Sequence, residues 1–99
     1  MYGCTPLYAA CEKGHLEIVK ELLKSNAIEI NQPDKNGATP LFMACQNGHL
    51  NIVRVFLESN AIQINQPDKY GVTPLFMACQ NGHLDIVRVL LDEQVLRQG

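Results

Sequence analysis

One pattern recurs every 34 residues. Gly3-Cys4-Thr5-Pro6-Leu7 returns as Gly37-Ala38-Thr39-Pro40-Leu41 and as Gly71-Val72-Thr73-Pro74-Leu75. Gly14-His15-Leu16, Gly48-His49-Leu50 and Gly82-His83-Leu84 keep the same offset downstream. A fixed period of this size describes stacked units, each burying its apolar face only against a neighbour. About three units are needed for a continuous core. Residues 1–99 therefore read as one domain, with repeats at about 3–34, 35–68 and 69–99.

Within a repeat, Thr5 before Pro6 marks an N-cap followed by proline at the first helical position. The helix should run from Pro6 to about Lys13, with Leu7, Ala10 and Cys11 on its core face. Gly14 can take the left-handed conformation that closes it. A second helix follows from Leu16 to about Lys24. Glu17, Lys20, Glu21 and Lys24 fill one polar arc, and Leu16, Ile18, Val19, Leu22 and Leu23 fill the rest. Such a helix must be covered on two sides. Asn26 and Asn60 stand where a left-handed cap is expected. Ile28 to Gly37 then reads as an extended arm with a turn at its tip, built from Pro33, Asp34, Asn36 and Gly37. Each unit is thus helix, tight turn, helix, turn-bearing loop.

Composition narrows the function. Apolar residues make up 46% and charged residues 18%, a globular balance. The net charge of -2 has no basic stripe, so nucleic acid and anionic membranes are poor partners. No apolar run reaches the ~20 residues that a membrane span needs. Cys11, Cys45 and Cys79 stand in register. Stacked helices pack about 8–10 Å apart, whereas a disulfide needs Cα atoms within about 7 Å. These read as small buried thiols in a reducing, intracellular and cytoplasmic setting.

The residues resemble the ankyrin repeat. Its pattern stands here as Thr39-Pro40-Leu41-Phe42, Ala44-Cys45, Gly48-His49-Leu50, Ile52-Val53 and Phe56-Leu57. Tetratricopeptide repeats share the 34-residue period but lack this Thr-Pro and Gly-His punctuation. The resemblance implies an all-α solenoid of stacked helix-turn-helix units with projecting turn loops. Three departures stand out. Tyr8, Phe42 and Phe76 replace the family's histidine, so its polar tie should give way to an aromatic contact. The loop from Asn26 to Asn31 is one residue longer than the commonest form. Both ends are cut inside the pattern without an obvious polar cap, so the chain reads as a segment of a longer array. Uncapped apolar ends predict weak end-to-end self-association.

The resemblance also implies a function: docking of a protein partner on the turn tips and a concave inner-helix surface. The residues it points to are Tyr2, Cys4, Glu12 and Lys13 in repeat 1. In repeat 2 they are Lys35, Asn36, Ala38, Gln46 and Asn47. In repeat 3 they are Lys69, Tyr70, Val72, Gln80 and Asn81. Residues 31–57 and 65–91 differ only at Asn36/Tyr70, Ala38/Val72, Asn51/Asp85 and Phe56/Leu90. Two of those four positions flank the turn glycine, and Tyr70 is the strongest candidate, since tyrosine is over-represented among interface hot spots. Phe42 and Phe76 read as packing residues. Met43 and Met77 stay open between packing and partner contact.

No enzyme, cofactor or metal site is expected. Cys11-x-x-x-His15 and its two copies offer two ligands each, short of the four that close a structural zinc site. His15, His49 and His83 read as residues that tie turns together, without a nucleophile and orienting group beside them. Two rival functions remain: a structural spacer within a longer array, and the targeting arm of a multidomain enzyme.

Overall fold

The computed structural model describes residues 4–98. Six helices follow in order: α1 (Pro6–Lys13), α2 (Leu16–Leu23), α3 (Pro40–Gln46), α4 (Leu50–Leu57), α5 (Pro74–Gln80) and α6 (Leu84–Gln98). No strand occurs among the described residues. Each pair, α1–α2, α3–α4 and α5–α6, is one helix-turn-helix unit. The units stack in two layers: α3 lies between α1 and α5, and α4 touches both α2 and α6.

The first helix of each unit starts for the reason its sequence suggests. Thr5, Thr39 and Thr73 are extended at the N-cap, and their hydroxyls accept from the backbone N–H of Tyr8, Phe42 and Phe76 at 3.1, 3.0 and 3.2 Å. That satisfies one of the orphan donors at each helix start. Proline follows, where no donor is needed. The helices stop at a glycine. In α5, His83 N–H reaches Ala78 O at 2.9 Å and Gly82 N–H reaches Cys79 O at 3.2 Å, the paired bonds of a Schellman cap.

The core runs through the stack. Leu7, Ala10, Cys11, Leu41, Ala44 and Cys45 meet Val19, Ile52, Val53, Phe56, Ile86 and Leu90 from the second layer. Ile52, Val53 and Phe56 of the central unit are all buried, as are Ile86 and Leu90 of α6. Their counterpart Ile18 in α2 is half exposed.

Four expectations change. Asn26 and Asn60 are not left-handed, since every described residue with positive φ is a glycine. α2 instead unwinds through right-handed turns, Lys24 N–H to Glu21 O and Ser25 N–H to Leu22 O. The Ser25 hydroxyl then accepts from Ala27 N–H at 3.2 Å, and Ser59 repeats this with Ala61. Second, α6 does not stop like α2 and α4. It runs for 15 residues rather than 8. Its last turns are tied back to repeat 2: Gln94 donates to Asn65 Oδ1 at 2.9 Å, and Arg97 donates to the carbonyls of Leu57 and Ser59. These polar ties anchor the added turns to repeat 2 and leave Leu84, Leu91 and Val95 exposed. Third, Tyr8 keeps a polar tie, its hydroxyl donating to Asp34 Oδ2 at 2.7 Å. Burial, and then the Asp34 carboxylate, push its ionisation above the usual phenol range. Fourth, Cys79 and Phe76 are exposed, because among the described residues no helix stacks on the far side of α5.

The loops also form a ladder. The Asn31 side chain donates to Ala61 O at 2.8 Å and accepts from Gln63 N–H at 2.9 Å. One amide thereby satisfies two backbone groups of the next loop, a substitute for strand pairing.

All four cysteines are free thiols. Burial pushes Cys11 and Cys45 up to about 12. Below an ordinary thiol value of 9.0 both states keep the proton and stability is whole. Between 9.0 and about 12 the unfolded chain loses protons that the folded chain retains, so stability falls as pH rises. Thiolates are the reacting species. A maleimide pulse at neutral pH should therefore label Cys4 and Cys79 and spare Cys11 and Cys45. Peptide mass mapping reads this directly, and equal labelling of all four would contradict the stacked core.

Candidate partner-binding surface

The turn tips are built on two aspartates. Asp34 Oδ1 accepts from Asn36 N–H at 2.8 Å and Ala38 N–H at 3.0 Å, while Asp34 N–H donates to Ala38 O at 2.9 Å. Asp68 repeats the arrangement with Tyr70 N–H at 2.9 Å, Val72 N–H at 3.0 Å and Val72 O at 2.8 Å. A side chain that bonds its own backbone two residues on is a strong local turn former. Lys69 N–H donates to Asn36 O at 2.9 Å, joining one tip to the next. Lys35, Asn36, Lys69 and Tyr70 stand exposed on this rigid edge. Tyr70 is 75% exposed. The Lys69 ammonium lies 5.1 Å from its ring centroid, within cation–π reach.

The flank of the inner helices differs from the sequence reading. Ala38 is buried in a second apolar cluster with Tyr8, Phe42 and Met43, with Val72 and Met77 packed against it. Ala38 is therefore not available to a partner, and Val72 only in part. Its small side chain follows the turn glycine and is roofed by the neighbouring aromatics. The same cluster decides the methionines for packing. Phe42 packs as expected, whereas Phe76, read as a packing residue, is 54% exposed at the end of the row.

Asn47 and Asn81 are exposed, but their amides are engaged across repeats. Asn47 Nδ2 donates to Glu12 O at 3.0 Å and Asn81 Nδ2 to Gln46 O at 2.9 Å. His49 Nε2 lies 3.2 Å from the same Glu12 carbonyl, and His83 Nε2 3.0 Å from that of Gln46. A carbonyl only accepts, so each ring must carry its proton on Nε2. Two donors thus close a last-turn carbonyl of the first helix in the preceding repeat. His49 and His83 tie turns together, as the sequence suggests, and each tie crosses between repeats, whereas His15 makes no such tie among the described residues. Cys4, Lys13 and Gln80 are exposed, and Glu12 and Gln46 are half-buried. Tyr2 lies outside the described residues.

Sequence reasoning missed Phe76 as a surface residue. The available signal was its place in the last unit, where the helix that covers Phe42 has no counterpart. A second concavity, a groove of about 620 Å³ between α2 and α4, is lined by Lys20, Leu23, Lys24, Ile30, Val55, Glu58 and Ser59. It lies on the second layer, apart from the tips.

A sequence model described as ankyrin repeats in three copies matches residues 28–98, and one described as ankyrin repeat matches residues 2–35. A curated relative, the ankyrin repeat domain-containing protein SAT10 of Stachybotrys chartarum, is 52% identical over 31 residues. That segment is 31% of this chain, and the chain spans 2% of that relative's length.

Proposed function

The chain belongs to the ankyrin repeat family, and from that premise we propose that it docks a protein partner along its turn tips. Ankyrin repeats are in general protein-protein interaction modules, and the family is typically non-catalytic. The observation that carries this reading is the tip pair Lys69 and Tyr70. An exposed aromatic, held on an aspartate-locked turn with a lysine against its ring, loses little conformational freedom on binding. Lys35 and Asn36 extend the same edge. The inner-helix residues Glu12, Lys13, Gln46 and Gln80 flank it, with Phe76 as an added apolar contact. Recognition on a preformed scaffold requires no covalent step. The four free thiols support a reducing, intracellular setting.

Affinity capture with the wild-type chain, run beside Lys69→Ala/Tyr70→Ala, tests the assignment. Both side chains are exposed, so the variant should melt like wild type. Loss of a hot-spot tyrosine costs about 2 kcal/mol, roughly 30-fold in Kd. A captured protein whose affinity is unchanged in the double variant, but falls for a Lys24→Ala change in the α2–α4 groove, would place the surface elsewhere.

A further inference from the structure

The two junctions inside this stack share one plug and one socket. The plug is the histidine that opens the second helix. The socket is the glycine after the first helix of the preceding repeat and a carbonyl in that helix's last turn. At Gly14, an added Cβ would lie 2.6 Å from His49 Cε1, and at Gly48 it would lie 2.7 Å from His83 Cε1. The ring fills the space that a side chain would need. At Gly82 nothing lies within 4 Å. The Gln80 carbonyl, which matches those of Glu12 and Gln46, receives no donor from another repeat among the described residues. At the other end His15 is exposed, whereas His49 and His83 are half-buried against the preceding repeat. One end therefore carries an empty socket and the other an unused plug.

Apolar residues at the two ends match in the same way. Ile18 is 51% exposed, whereas its counterparts Ile52 and Ile86 are 2% and 1% exposed inside the stack. Phe76 is 54% exposed, against 4% for Phe42. Leu84, Leu91 and Val95 form one exposed stripe along α6, at i, i+7 and i+11. Their counterparts Leu50 and Leu57 are half-buried against the core.

We propose that this chain associates head to tail with a second copy of itself, the α5–α6 end of one receiving the α1–α2 end of the next. His15 of the incoming copy occupies the space over Gly82 and donates to the Gln80 carbonyl. Ile18 and Phe76 become buried as Ile52 and Phe42 are. The argument is continuity with the two internal junctions, whose helix residues recur at this one, although α6 continues through the positions that match the core loop residues Ile62 and Ile64. The junction is weaker than those inside the chain. Lys13 stands where Asn47 and Asn81 donate their amides, and Ala9 stands where Met43 and Met77 pack. A lysine still donates to a helix-terminal carbonyl. The association is therefore concentration-dependent. It is also heterologous, so it continues beyond a dimer.

The test is sedimentation equilibrium of the 99-residue chain from micromolar to millimolar concentration, with two single-end variants. Ile18→Glu disables the α1–α2 end and Phe76→Glu the α5–α6 end. Both side chains are exposed in the monomer, so both variants should keep the wild-type unfolding transition. Wild type should rise past the dimer mass. Each variant alone should lose the rise and stay monomeric. Their equimolar mixture should stop at the dimer mass, because one live end of each remains. A wild type that is monomeric at millimolar concentration overturns the proposal. So does a plateau at the dimer, or association that persists in Ile18→Glu alone, which would indicate pairing of two like ends.

Discussion

Phe56→Ala should destabilise this chain by about 3–5 kcal/mol, a large part of its folding free energy, and shift its urea midpoint far down. Phe56 is fully buried and heads the largest buried side chains. It lies on α4, which touches both α2 and α6. Truncating a buried phenylalanine costs about 3–5 kcal/mol, the lost transfer energy plus the cavity left behind. A chain of this size is stable by roughly 5–15 kcal/mol, and short repeat arrays depend on every interface. Repeat 3 supplies the control. Leu90 occupies the matching site and is as buried as Phe56. Phe56→Leu keeps most of the packed volume and should lower the urea midpoint by less. Circular dichroism at 222 nm distinguishes the two. A Phe56→Ala midpoint within experimental error of wild type would show that the central repeat does not carry the stack.

The helices were largely legible because their signals are local. Thr-Pro at each start and Gly-His after each first helix act within a few residues, so the bounds of α1 to α5 follow from them. The ankyrin resemblance then fixed how the units stack. What remained illegible depends on neighbours. Cys79 has the same sequence surroundings as Cys45, yet one is exposed and the other buried, because only Cys45 has a following repeat over it. Phe76 and Phe42 divide in the same way. No window of sequence distinguishes such pairs; their place in the stack does.

The candidate surface was legible in part for the same reason. The tips at Asn36 and Tyr70 are locally encoded by the aspartate turns and appear where expected. Ala38 was misread because its environment comes from Tyr8, thirty residues earlier in the chain, and from Met43 in the next helix. Asn47 and Asn81 read as surface amides, and they are exposed. Their bonds to Glu12 and Gln46 become visible only once the repeats are stacked. α6 escaped the reading because its last turns lack the Ser-Asn of the other two second helices. With Asp92-Glu93-Gln94 in place of those turn formers, the helix continues.

Gly48→Ala and Gly82→Ala separate backbone strain from the histidine socket. Both glycines have positive φ, 79° and 75°. A left-handed conformation costs an L-residue about 1–2 kcal/mol, and the two sites share this cost. They differ in what a methyl group meets. At Gly82 it enters open space, but at Gly48 it would sit 2.7 Å from His83 Cε1 and 2.9 Å from Nδ1. The ring must leave, taking with it the Nε2 bond to Gln46 O. Losing that bond leaves a helix-end carbonyl short of a donor at a part-buried site, about 1–3 kcal/mol more. Gly48→Ala should therefore destabilise the chain by roughly twice as much as Gly82→Ala or more. The ordering is read from urea midpoints at a concentration where the chain is monomeric. His83→Ala in the Gly48→Ala background should then cost little further, since the bond is already lost. If Gly48→Ala and Gly82→Ala prove equal, the histidine does not fill the socket, and the repeats are held together by their apolar faces alone.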